Sequence, residues 1–258
     1  MKFVILTLFP EMYTSFTQSS IIKRAIGMGL IEVKLVNIRD FTKDRYGRVD
    51  TPTIGGGAGL ILKCQPIIDA LDSIQSGPSR KIILSPRGKT FDQNKAIELS
   101  KEKEIVILCG HYEGIDERVY KYFDESLSIG NFILTGGETA SFCLIDAISR
   151  LIPGVISSDS IKEESFSNNL LEYPQYTEPY DFNGDTVPDI LYSGNHQAIN
   201  KWRHKKSLEY TLKYRQDLFA DYSLTKEDHK LLIEIDTKDT PKWETDALEK
   251  GKKFIKNR

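Results

Sequence analysis

The chain has 258 residues, of which 40% are hydrophobic and 28% charged, so it can bury a sizeable core and is not expected to be disordered. Its 35 Lys and Arg against 37 Asp and Glu exclude a histone-like polycation but allow a local basic patch. No apolar run approaches the roughly 20 residues of a membrane span, and Pro10 and Glu11 interrupt the short apolar start. The three widely spaced cysteines are typical of a reduced protein. We expect a soluble, cytoplasmic protein.

Short apolar runs and helical segments alternate in the first half of the chain. The predicted strands are residues 2–8, 30–38, 81–85 and 104–110. The predicted helices are residues 12–29, 65–73, 92–102 and 139–151. Strands that are apolar on both faces are typical of a parallel sheet covered by helices, so the pattern predicts an α/β fold. In the last helix, one apolar stripe contains Phe142, Ile145, Ile148 and Leu151, which suits either a core or an interface between subunits.

The composition of the chain changes near residue 157. Serines and charged residues crowd residues 157–168, which is a linker composition. Beyond them the chain is rich in Tyr, Pro and Lys, and a helix is predicted over residues 225–235 with Thr225 as its cap. We therefore expect an α/β domain over residues 1–157, a flexible linker over 158–170, and a small, mainly helical domain over 171–258.

Glycine-rich loops follow the predicted strands, at residues 53–59, 84–88, 109–119 and 128–138. Parallel sheets bind ligands at the carboxyl ends of their strands, and glycine lets the backbone approach a ligand closely. The known nucleotide fingerprints are incomplete, because Leu60 and Ile83 stand where glycines are required. Any single one of these loops could equally be a tight turn and not a ligand-binding loop. Three such loops after consecutive strands favour a shared pocket.

Four segments carry a resemblance to a known family: CGHYEGIDERV, SIGNFILTGGE, DAISRLIPGV and SGNHQAINKWR. They resemble signatures of the bacterial tRNA (guanine-N1)-methyltransferases of the SPOUT class, and LFPEMY and RDFTKDRYGRVD match the same family. The resemblance implies a deep trefoil knot in the parallel sheet domain, and a homodimer with an active site shared between subunits. It also implies methyl transfer from S-adenosylmethionine to N1 of guanosine 37 in tRNA, beside the anticodon. A requirement for Mg²⁺ stays open.

The same resemblance implies which residues bind S-adenosylmethionine. Those expected on its adenosine side are Leu84, Ser85, Pro86, Gly110, Ser128, Ile129, Gly130, Asn131, Phe132, Ile133, Leu134, Gly136 and Gly137. Those expected beside its methionine portion are Tyr112, Glu113 and Gly114.

The chemistry requires a base and a cation. N1 of guanine carries a proton near neutral pH, so a base must remove that proton, and a cation should stabilise charge at O6. The resemblance assigns the base to Glu164, where the family usually has Asp, with Glu163 as the neighbouring alternative. It assigns the cation to Arg150. A solvated linker carboxylate and a helix-end arginine are the alternative readings of the two residues.

The RNA-facing residues are expected in the second domain. Residues 196–215 hold six Lys or Arg against one acidic residue, which favours contact with phosphates. The expected RNA-binding residues are Lys201, Arg203, Lys205 and Lys206, and the aromatic residues expected to stack on bases are Trp202, Tyr210 and Tyr214. A solvated helix face is the alternative. In the first domain, residues 40–50 add Lys43, Arg45 and Arg48 on a loop expected to approach RNA.

Departures from the family keep two other functions open. Gln175 and Glu178 stand where the family more often has His and Arg, which removes positive charge where RNA is expected to pass. Together with Glu164, these two departures allow an alternative function, a non-catalytic RNA-binding protein that keeps the cofactor pocket. The other alternative is a ribose 2′-O-methyltransferase of the same knotted class.

Overall fold

The computed structural model of the chain describes residues 1–74, 77–157, 164–166, 169–237 and 240–255. The chain divides into two compact units, Met1–Ser158 and Asp159–Arg258. Among these described residues, no helix is both long enough and apolar enough to cross a membrane.

The first unit is built on a five-stranded sheet in which all neighbouring strands are parallel. Its strands are β1 Lys2–Thr7, β2 Glu32–Asn37, β5 Arg80–Thr90, β6 Glu104–Cys109 and β7 Glu125–Ser128, in the order β2-β1-β6-β5-β7. A separate antiparallel hairpin consists of β3 Asp50–Pro52 and β4 Leu60–Leu62. The structure confirms the four predicted strands and the parallel α/β architecture.

Among the described residues of the first unit, five α-helices accompany the sheet: α1 Tyr13–Thr17, α2 Ser20–Gly27, α3 Cys64–Asp72, α4 Gln93–Leu99 and α5 Glu138–Ser149. The prediction of one helix over residues 12–29 was wrong. The chain leaves the helical conformation at Ser19, whose ψ is 147°, and Ser20 has a φ of 50°. The backbone therefore turns between α1 and α2.

Two apolar clusters lie on opposite faces of the sheet, which explains the continuous apolar runs. In β1, Phe3 and Ile5 belong to one cluster, while Val4 and Leu6 belong to the other. Successive side chains of a strand point to opposite faces, so both faces of β1 are buried.

The apolar stripe of α5 packs in the cluster that contains Phe3 and Ile5. Ile145 and Ile148 are fully buried there, and Phe142 and Leu151 are partly buried against the same residues. Each buried isoleucine contributes about 1.5–3 kcal/mol to folding. The stripe is therefore a core face of the first unit.

The second unit is mainly helical. Its helices are α6 His196–Tyr214, α7 Gln216–Ala220, α8 Lys226–Thr237 and α9 Lys242–Ile255, and the strands β8 Asp181–Phe182 and β9 Asp185–Thr186 form a short hairpin. The predicted cap of α8 is confirmed: Asp228 N–H donates to Thr225 Oγ1 at 3.2 Å, and Thr225 N–H donates to Asp228 Oδ2 at 2.7 Å. This reciprocal pair satisfies two backbone donors at the start of the helix.

Candidate functional site

A cavity of about 410 Å³ opens at the carboxyl ends of β5, β6 and β7. The segment between Leu84 and Lys89 bulges out of the β5 ladder, because both residues pair with Leu127 of β7. The loop after β6 and the loop between β7 and α5 complete the wall. The cavity therefore lies where the topology of a parallel sheet places ligands.

The cavity brings together nearly all of the predicted cofactor-binding residues. Every residue of that set lines it except Asn131. Sequence reasoning missed six further lining residues: His111, Ile115, Tyr120, Leu127, Thr135 and Ala140. Five of the six lie inside or beside the same glycine-rich segments, so the missing information was side-chain direction; Ala140 lies one turn into α5.

Close backbone packing holds two of the loops together. Gly137 N–H donates to the carbonyl oxygen of Gly110 at 2.8 Å, and His111 and Gly136 form an antiparallel bridge. A Cβ atom on Gly137 would lie 2.7 Å from Cys109 Cα, so only glycine fits at this position. The strand end of β6 and the start of α5 are thereby fixed against each other.

Buried polar groups lie at and beside the cavity, and one of them, His111, lines it. His111 Nδ1 is buried and has no hydrogen-bond partner within the described part of the chain. A Cβ on Gly136 would lie 2.7 Å from this nitrogen and 2.5 Å from Glu138 Oε2. Glu138 is buried, and its Oε1 accepts a hydrogen bond from Thr7 at 2.7 Å. An unpaired buried nitrogen suits a cavity that receives a polar ligand.

Arg87 lies beside the cavity, next to the lining residue Pro86 in the chain and over the ring of the lining residue Tyr120. Its guanidinium donates two hydrogen bonds to the Glu117 carboxylate, at 2.7 and 3.0 Å, and lies 3.8 Å from the ring centroid of Tyr120. Tyr120 O–H also donates to Ser85 Oγ at 3.4 Å. The hydrogen bond from Arg87 holds the pKa of Glu117 below its usual range. The pair connects the bulge of β5 to the segment after β6.

A buried hydroxyl–thiol network lies behind the cavity. Tyr13 Oη is 2.6 Å from Ser141 Oγ and 3.4 Å from Cys109 Sγ. Burial raises the pKa of the Cys109 thiol to about 12 and that of Tyr13 well above its usual range. Both groups therefore stay protonated at neutral pH, and they join α1, β6 and α5 without supplying a nucleophile.

The two predicted catalytic residues stand in different units. Arg150 directly follows α5 and is half-buried. Glu164 is half-buried in a turn of the second unit, where Phe166 N–H donates to the carbonyl oxygen of Leu170 at 2.9 Å. Glu163, the alternative base, and most of the predicted linker lie outside the described residues.

The predicted RNA-binding residues all lie on α6, and acidic side chains pair with Lys201, Lys205 and Lys206. Lys201 contacts Glu227 of α8 at 2.6 Å, and Lys206 contacts Glu209 at 2.7 Å. Lys205 is buried and contacts Glu234 of α8 at 3.2 Å, and Arg203 lies 4.7 Å from the Tyr173 ring centroid.

The expectation that Trp202 stacks on a base was wrong. Its side chain is only 4% exposed and packs with Ile190, Ala198 and Ala247 in a small core of the second unit. The sequence pattern of alternating basic and aromatic residues did not separate the buried face of α6 from its exposed face. Tyr214 is 58% exposed at the end of the same helix.

Comparisons with the sequences of known proteins point to one family. A sequence model of the family described as tRNA (Guanine-1)-methyltransferase TrmD matches residues 1–221. The chain is 55% identical over 234 residues to the tRNA (guanine-N(1)-)-methyltransferase of Clostridium botulinum strain Eklund 17B, covering 90% of this chain and 98% of the relative. The protein of the same name from Clostridium perfringens strain SM101 is 52% identical over 234 residues, covering 90% and 99%.

Proposed function

The chain belongs to the tRNA (guanine-1)-methyltransferase family, and from this premise we propose that it methylates N1 of guanosine 37 in tRNA with S-adenosylmethionine as the methyl donor. Methylation of guanine in tRNA follows from the family itself. The position in the tRNA and the donor are the proposed part. The observation that carries the proposal is the cavity formed by three loops at the carboxyl edge of the parallel sheet.

The cavity fits S-adenosylmethionine in size and chemistry. Pockets for small ligands typically measure about 300–1,000 Å³, and this one is about 410 Å³. Gly110, Gly114, Gly130, Gly136 and Gly137 line it, so backbone groups are available to an adenine edge. The apolar lining supplies surface for the rings, and the unpaired His111 Nδ1 supplies a polar partner.

The protein must supply a base and a cation for the reaction. Bound S-adenosylmethionine provides a methyl group on a positively charged sulfur. In the proposed mechanism Glu164 accepts the N1 proton of guanine, which frees the nitrogen lone pair, and Arg150 stabilises the negative charge on O6. Glu retains the carboxylate of the family's usual Asp and is one methylene longer.

The proposal extends to assembly and location. Phe132 and Ile133 line the cavity but are 54% and 80% exposed, and a second copy of the chain would cover such apolar side chains. The proposed fold includes the trefoil knot that the family resemblance implies. We place the enzyme in the cytoplasm, where tRNA is available.

The identity of the methylated nucleoside tests the proposal. The protein is incubated with labelled S-adenosylmethionine and unmodified tRNA that carries guanosine 36 and guanosine 37, and the product is digested and separated. We expect 1-methylguanosine from position 37. Labelled 2′-O-methylribose would instead indicate the related ribose methyltransferases, and RNA binding without label transfer would indicate a non-catalytic protein.

A further inference from the structure

An exposed tyrosine lies beside two exposed arginines at the tip of a loop in the first unit. Tyr46 is 66% exposed, and the guanidinium carbons of Arg45 and Arg48 lie 4.8 and 5.1 Å from its ring centroid. We propose that this loop, residues 42–48, is a contact site for unpaired nucleotides of the tRNA. In it Tyr46 stacks on one base, and Arg45 and Arg48 contact the neighbouring phosphates.

Hydrogen bonds within the loop hold Tyr46 outward. Asp44 Oδ1 accepts from the backbone N–H of Tyr46 at 2.8 Å and of Arg48 at 3.3 Å. Thr42 Oγ1 donates to the carbonyl oxygen of Arg48 at 2.8 Å, and Gly47 provides the turn with a φ of 72°. A preformed loop loses little conformational entropy when it binds, so its exposed aromatic ring is well suited to recognition.

A second set of bonds fixes the loop to α3. The Lys43 N–H donates to Gln65 Oε1 at 3.1 Å, and Gln65 Nε2 donates to the Phe41 carbonyl oxygen at 2.7 Å. Lys43 also forms an ion pair with Asp69 at 2.7 Å. The base of the loop is thus held by a helix, while its tip stays exposed.

The two arginines at the tip are more available to bind phosphate than the paired lysines of α6. Arg45 has no ion pair within the described part of the chain, and Arg48 lies 3.6 Å from Asp44, a carboxylate that it shares with Lys63. On α6, by contrast, Lys201 and Lys205 pair with acidic residues of α8. Arg45 and Arg48 can therefore reach a phosphate at a smaller cost in broken ion pairs.

The chemistry of the tip selects single-stranded RNA. An aromatic ring stacks only on a base whose face is open, and arginine binds phosphate through two parallel hydrogen bonds. A double helix offers no open base face along its length. The inference rests on the proposed function, because tRNA supplies the unpaired nucleotides.

Two variants separate stacking from phosphate contact. The first is Tyr46→Ala, with Tyr46→Phe as its conservative partner, and the second is the double variant Arg45→Ala with Arg48→Ala. Tyr122→Ala is the matched control, because Tyr122 is also exposed, at 43%, and lies 5.1 Å from Lys121. Dissociation constants for unmodified tRNA are measured at several salt concentrations, with circular dichroism and S-adenosylmethionine affinity measured on the same samples.

We expect Tyr46→Ala to weaken tRNA binding about 5- to 100-fold with an unchanged salt slope, while Tyr46→Phe binds like the parent. The arginine variant should lower the slope of log Kd against log salt by about 1.4, which is about 0.7 for each lost phosphate contact. Parent affinity in both variants, or an equal loss in Tyr122→Ala, would overturn the inference. Failure of the parent protein to bind S-adenosylmethionine would count against the proposed function alone.

Discussion

Glu164 is the residue on which the proposed proton transfer depends. Glu164→Gln keeps the size of the side chain but removes its basicity, so single-turnover methyl transfer should fall by about 10²–10⁴. Affinities for tRNA and S-adenosylmethionine should change little, because the loss lies in the transition state. Raising the pH should restore part of the rate, since guanine N1 then ionises without a base.

Glu164→Asp is the control for this prediction. It restores the residue that the family usually has, and it should stay active. A Glu164→Gln variant that reacts as fast as the parent, together with an inactive Glu163→Gln variant, would show that the neighbouring carboxylate is the base.

Arg87 does not line the cavity, but it lies over the ring of Tyr120, which does. Arg87→Ala removes both hydrogen bonds to Glu117 and the contact with Tyr120, so we expect the affinity for S-adenosylmethionine to fall by a factor of about two to five. The loss should shrink at high salt, because the pair is exposed. Calorimetric titration measures it.

The same segment provides a matched control for Arg87. Arg118 forms a similar two-bond pair with Asp116, at 2.9 and 2.7 Å, but among the described residues its guanidinium lies over no aromatic ring of the cavity lining. Arg118→Ala should bind S-adenosylmethionine like the parent. Equal losses in both arginine variants would mean that surface charge, and not the position of the β5 bulge, determines the affinity.

The start of α8 is the element whose stability depends most clearly on pH. Burial alone would raise the pKa of Asp228, but hydrogen bonds from His204 and from Thr225 lower it below its usual value of 3.8. The charged form is thus favoured by folding. Its contribution is present above about pH 4 and disappears as the pH falls through the lower folded-state pKa.

Asp228→Asn should therefore reduce the free energy of unfolding at pH 7 by about 1–3 kcal/mol, as expected for a lost cap with a buried partner. The difference from the parent should become smaller below about pH 4. Denaturant unfolding at several pH values measures it, and Asp236→Asn, at an exposed position of the same helix, serves as the control. A difference that grows towards acid pH would contradict this account of the cap.

At the level of elements, the apolar pattern of the sequence predicted the strands that are buried on both faces. β1 and β6 were evident because both of their faces are buried. β7 was missed because its sequence, ESLS, contains one apolar residue, and its pairing with β5 is set by the tertiary fold. The break at Ser19 was missed because apolar residues continue on both sides of it. Local patterns do not encode a single positive φ.

At the level of the whole molecule, the cavity could be predicted because glycine loops after parallel strands must meet at one edge of the sheet. His111 and Tyr120 could not, because side-chain direction depends on how the loops pack. The second unit was harder to predict: Lys205 and Trp202 are buried, although their neighbours in the sequence are basic or exposed. A helix of mixed composition does not show which face its partners cover.

The structure shows at which position a substitution can fill the cavity without disturbing its loops. Valine at Gly130 would strain a backbone with a φ of 148°, and valine at Gly110 would press on Ile115, so either variant would disturb the loops themselves. Ala140 lies on the helix α5 and lines the cavity, so a larger side chain there needs no unusual backbone. Cys143, exposed on the same helix, is the control position.

The central claim is that this cavity binds the methyl donor. Its most direct test is calorimetric titration of S-adenosylmethionine into the parent, Ala140→Leu and Cys143→Leu proteins, each checked by circular dichroism. We predict binding to the parent and to Cys143→Leu, and a loss of at least about tenfold in Ala140→Leu, where added methyl groups occupy the ligand's space. A natively folded Ala140→Leu protein with parent affinity would contradict the account.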